Sequence, residues 1–179
     1  VGCAGPGGGG GPAQAAGSAD APGASAVVVR LVAGRTPSPM DFLDALPRSE
    51  ATFAVGERIY IEVWTSIAYD GQSPGVGLAS AFVDLRLGGH HLVPQEVVPS
   101  KALGLFARRS VGSDHGVLRT VGGCAQLDSN GVASDGDWVR VATVVALAAT
   151  SGQTQIDVSP SDELHGFSRV GMFENIAPA

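Results

Sequence analysis

The stretch Glu57-Arg58-Ile59-Tyr60-Ile61-Glu62-Val63-Trp64-Thr65 decides the fold class. Ile59, Ile61 and Val63 share one side of it, while Tyr60, Glu62 and Trp64 point the other way. Side chains of an extended chain alternate between faces, so a period of two marks a strand laid against a core. The rhythm recurs in both directions. Upstream, Val27, Val29 and Leu31 share a face. Downstream, Ala79, Ala81, Val83, Leu85 and Leu87 do so, opposed by Asp84 and Arg86. Residues 137–149 are apolar on both faces after Arg140, which suits a central strand covered on both sides. Residues 153–158 alternate again, with Thr154, Ile156 and Val158 inward.

Turn signals such as Asp70-Gly71, Gly88-Gly89, Asn130-Gly131 and Ser151-Gly152 separate these runs. Short strands punctuated in this way predict an all-β protein, an antiparallel sandwich or barrel. Helix is confined to one or two short turns. Ser38 is placed to cap a first one, with Pro39 at its first position, Leu46 near its end and Pro47 stopping it. A second turn is expected over Ser161 to Leu164.

Composition agrees. Of 179 residues, 44% are apolar, enough for a core, while 26 Gly and 11 Pro disfavour long helices. The net charge of −6, with no basic run, argues against nucleic acid or anionic membrane as partner. The longest apolar stretch, Val139 to Ala149, is too short to be a transmembrane segment. The first 25 residues contain 9 Gly, 7 Ala and 3 Pro and read as a disordered tether, leaving residues 26–179 as the domain. Val1-Gly2-Cys3 resembles the end of a bacterial lipoprotein signal, which marks Cys3 as a candidate lipidation site, against a chance cysteine in a linker.

Three segments occur in a recognisable order: Phe53 to Trp64, Gly75 to Arg86, and Trp138 to Ala149 followed by Gly152. They resemble cohesin-like domains, particularly the divergent ones in large secreted proteins of planctomycete-type bacteria. The resemblance covers residues 26–170. It implies a jelly-roll sandwich of about nine strands, shared with some carbohydrate-binding modules. It also implies a non-catalytic binding role with dockerin-like modules as typical partners. Gly88-Gly89-His90-His91 departs from the family pattern, so no recognition residue is carried over.

No nucleophile elbow, zinc-protease helix, phosphate loop or paired-cysteine motif is present, and no enzyme is expected. Ser113-Asp114-His115 sets triad residue types side by side, but triads assemble from distant positions. Of His90 and His91, adjacent on an extended chain, at most one would join a metal site. Asp128, Asn130, Asp135 and Asp137 offer oxygen ligands in a short loop suited to Ca²⁺, although tight-turn chemistry explains the same residues. Tyr60, Trp64 and Phe82 are candidate binding residues, since an aromatic strip on a sandwich face stacks sugars; a covered second face is the alternative.

The expectation is therefore a secreted or cell-surface binding and assembly module recognising a protein partner. A carbohydrate-binding module of the same fold and a structural spacer are the alternatives.

Overall fold

The computed structural model describes residues 26–68, 77–108, 116–126, 132, 137–161, 167–169, 172–175 and 177–178. It is all-β, with no helix among the described residues. The strands are β1 (Ala26–Gly34), β2 (Phe42–Leu43), β3 (Arg58–Ala68), β4 (Leu78–Leu87), β5 (Leu92–Pro99) and β6 (Leu105–Arg108). They continue as β7 (Val117–Cys124), β8 (Trp138–Ala148), β9 (Ile156–Pro160), β10 (Phe167–Arg169), β11 (Met172–Asn175) and β12 (Ala177–Pro178). The count exceeds the nine or so expected because short strands of two to four residues, β2, β10, β11 and β12, are added to the sheets.

Two sheets form the sandwich. The first runs β12-β1-β3-β8, with β5 and β2 sharing the far edge of β8: β5 pairs with Ala142–Ala148 and β2 with Trp138 and Val139. The second runs β11-β10-β4-β7-β6, with β9 continuing along the edge of β4 that β10 occupies. Pairing is antiparallel except between β1 and β12. Ile59, Ile61, Val63, Val139 and Val144 of the first sheet meet Leu78, Val83, Leu85, Leu118 and Val121 of the second in one core. Burying each such side chain is worth about 1.5–3 kcal/mol.

The alternations expected for β3, for the body of β4 and for β9 hold, as does the central place of β8. Two phases differ. Leu78 rather than Ala79 joins the core, where β10 shifts register against β4. Thr154 lies outside β9 and is exposed.

The helical turn expected from Ser38 to Leu46 is absent; the segment is irregular, with bends on both sides of β2. Its capping residue is engaged elsewhere. Ser38 gives its amide to Glu62 Oε1 and its hydroxyl to Glu62 Oε2, each at 2.7 Å, so it caps nothing. The segment becomes a strap from the end of β1 across the outer face of the first sheet, reaching β8 at Phe42 and Leu43. It is back beside β1 by Ser49 and Glu50, which bond the backbone of Ala33. The turn expected at Ser161 to Leu164 falls outside the described residues apart from Ser161.

Candidate functional site

The two outer faces differ in kind. On the first sheet, the strap closes over a polar cluster centred on Arg140. Its Nη1 donates to Glu62 Oε1 at 2.7 Å and to the carbonyl of Ser38 at 2.8 Å, and its Nε donates to Asp41 Oδ1 at 2.9 Å. The other Asp41 oxygen accepts the Lys101 amide at 2.8 Å. Trp64 Nε1 donates to Glu62 Oε2 at 3.2 Å, and the guanidinium carbon sits 5.7 Å from the Trp64 ring centroid. Every acceptor lobe of Glu62 is thus used, which is what a carboxylate 2% exposed requires. This cluster is a clasp for the strap, and it presents little to a ligand.

A bulge makes the clasp possible. Val63 pairs with Ala142, but Trp64 pairs with Arg140, so β8 carries one extra residue there. Val141 and Ala142 both face the core, and Arg140 lands on the outer side beside Trp64. Without the slip, strict alternation would aim its guanidinium between the sheets.

The second sheet carries a groove of 340 Å³ lined by Asp84, Arg86, Val117, Arg119, Asp157 and Ser159. Cross-strand register sets Asp84 opposite Ser159 and Arg86 opposite Asp157. On the other side of β4, Val83 pairs with Val121 and Leu85 with Leu118, so Arg119 and Thr120 together oppose Asp84. Thr120 sits at φ 57°, a left-handed conformation that a β-branched residue rarely adopts. Asp84 Oδ1 takes the Thr120 amide at 2.8 Å, while Oδ2 lies 3.7 Å from Arg119 Nη1. Strained residues held this firmly cluster at functional sites, and bulges there re-aim side chains. Here the bulge holds Arg119 exposed beside Asp84.

The aromatic strip does not form. Trp64 is fully buried and Phe82 is 5% exposed, on different sheets, while Tyr60 is half-buried on β3. A ring with no accessible face cannot stack on a sugar, so Trp64 and Phe82 are structural. Asp128, Asn130 and Asp135, three of the four expected calcium ligands, lie outside the described residues, as do Cys3, Ser113, Asp114 and His115. Asp137 is half-buried, and no cluster of three metal-ligating side chains occurs among the described residues. The His90 and His91 rings lie tilted at 38° with centroids 4.5 Å apart, and His91 Nδ1 bonds Thr150 Oγ1 at 2.8 Å. Cys124 is a free, half-buried thiol whose pKa burial raises.

Alternation placed Asp84 and Arg86 on the outer face, but nothing local in the sequence marked Arg119, Thr120 or the clasp. The only local trace is the apolar phase slip from Val139 and Val141 to Ala142 and Val144. Comparison with protein-family models, with curated proteins and with solved structures gave no match.

Proposed function

We propose that the chain is a non-catalytic binding and assembly module that recognises a protein partner through the outer face of its second sheet. The observation carrying this reading is the strained Thr120 bulge, which Asp84 holds and which displays Arg119 beside Arg86 and Asp157. Two cations and two anions in one shallow groove reward a partner with the complementary pattern of charge. Such a face selects by arrangement, through on-rate and specificity, more than by net charge. The opposite face, strapped over Trp64 and Glu62, exposes apolar side chains instead, among them Phe42, Val93 and Leu147.

The nested order of the strands supports the cohesin-like, jelly-roll reading. β6 pairs β7 in one sheet, β5 pairs β8 in the other, and β4 pairs β9 in the first of these again. On that reading a dockerin-like or other surface protein is the partner, and the module works secreted or at a cell surface, with Cys3 as the candidate for lipid anchoring. Tethering through residues 1–25 would leave the second sheet free to engage it.

The test is affinity enrichment from host-secreted proteins with the wild-type domain and with Arg86→Glu/Arg119→Glu as baits. A specific partner enriched by the wild type and lost by the variant, with unchanged melting temperature, supports the reading. Equal enrichment by both baits, or none by either, sinks it.

A further inference from the structure

We propose that the cleft at one end of the sandwich binds a neutral, hydroxyl-rich ligand, a short uncharged oligosaccharide. This site shares no lining residue with the groove on the second sheet and touches it where Gln155 bonds Asp157. It opens where the ends of β1 and β8, the starts of β3, β5 and β9, and the segment 49–53 converge. Its volume is 980 Å³, at the top of the range of about 300–1,000 Å³ common for small-molecule sites.

The chemistry of the lining selects the ligand class. The accessible apolar lining comes from Leu31, Ala33 and Phe53, each partly exposed, with Ile59 and Ile61 buried behind them. The rim consists of Ser49, Thr52, Thr150, Gln153, Thr154 and Gln155, hydroxyls and carboxamides, with the Thr154 proton already given to the Gly88 carbonyl so that its oxygen is left to accept. Gln153, Thr154 and Gln155 are exposed on the irregular segment leading into β9, and the Gln155 amide nitrogen bonds Asp157 at 2.7 Å, which fixes the side chain and leaves its carbonyl oxygen as an acceptor.

No free charge faces the cleft from the rim carboxylate. Glu50 is held by the guanidinium of Arg35 and accepts the Arg35 amide at 3.1 Å. His91 is tied to Thr150. An anionic or cationic ligand would be desolvated there without a counter-charge, and a purely apolar ligand would displace water from the rim hydroxyls and carboxamides without replacing its hydrogen bonds. A sugar ring meets both conditions, with its C–H face against Leu31, Ala33 and Phe53 and its hydroxyls at the rim. Phe53, which also lines the cleft, adds an aromatic surface. The site thus differs from an aromatic strip on a sheet face.

The experiment titrates the full chain with uncharged gluco-, manno- and xylo-tetraoses, followed by amide chemical shifts and calorimetry. A trigalacturonate and laurate serve as charged and apolar comparators. The expected result is saturable binding of one neutral sugar, with shifts concentrated at His91 and at residues 150–155. Gln153→Ala/Gln155→Ala should weaken it by about tenfold or more at unchanged melting temperature, and Arg86→Glu/Arg119→Glu should not affect it. Three results overturn the proposal: no saturation by any neutral sugar below about 10 mM, binding indifferent to the glutamine substitutions, or occupation by laurate or trigalacturonate instead.

Discussion

Arg140 and Glu62 are not register partners, yet their side chains meet at 2.7 Å: Glu62 pairs with Thr143, and Arg140 with Trp64. The bulge in β8 brings them together, and the strap closes over the pair through Ser38 and Asp41. Their burial sets what the pair does energetically. The side chains of Arg140, Asp41 and Glu62 are 14%, 12% and 3% exposed, so solvent screens them little.

Removing the cation should therefore leave two buried carboxylates uncompensated. Arg140→Met is expected to lower unfolding stability by about 3–5 kcal/mol in denaturant titration. Glu62→Gln, which keeps an acceptor for Ser38, should cost less, about 1–3 kcal/mol. A loss below about 1 kcal/mol for Arg140→Met would show that the strap is held by something else.

Asp84 has a different task, satisfying the amide that the Thr120 bulge turns away from the ladder. Asp84→Ala should destabilise by about 1–3 kcal/mol, the cost of an orphaned donor, and should release Arg119. Asp84→Asn keeps an acceptor and should recover most of the stability. Hydrogen exchange at the Thr120 amide separates the cases, fast in the alanine variant and slow in the asparagine variant.

Two glycines allow a paired comparison. Gly56 sits at φ 87° with open space around it, so Gly56→Ala should cost only the left-handed penalty, about 1–2 kcal/mol. Gly122 sits at φ 143°, and a β-carbon there would run into the backbone of Ala81 and Phe82. Gly122→Ala should cost about 3 kcal/mol or more in the same unfolding assay. Equal losses would mean that β4 and β7 approach less closely than described.

Acid should act through Glu57. The Ala54 amide, donating at 2.8 Å, and then Arg35 hold its carboxyl below the usual value. Folding therefore favours the ionised form, and this stability is present above the ordinary carboxylate pKa and lost as pH falls through the depressed one. The melting-temperature gap between wild type and Glu57→Gln should be full at neutral pH and close in acid. A gap that stays constant into acid would remove Glu57 from the acid response.

Much of the fold was legible because it rests on period two. Ile59, Ile61 and Val63 could sit only on one face, and the doubly apolar run after Arg140 required a central strand. What was hidden depends on partners distant in sequence. Ser38-Pro39 carries the local signals of a helix start, but the groups that claim Ser38 lie 24 and 102 positions away. Trp64 was placed on the correct side of β3, yet its burial depends on a strap that alternation cannot reveal. The pairing of Thr120 with Asp84 spans 36 positions and arises from a register shift, which leaves no local pattern.

The strap also decides what the protein's own optical signal can report. The chain has two tryptophans. Trp64 is bonded to the carboxylate that holds Ser38, and Trp138 pairs with Leu43 at the strap's far end. Intrinsic fluorescence is therefore a local gauge of whether the strap is seated. Its emission should shift to the red when the clasp opens, and it should stay silent while a partner docks on the opposite sheet.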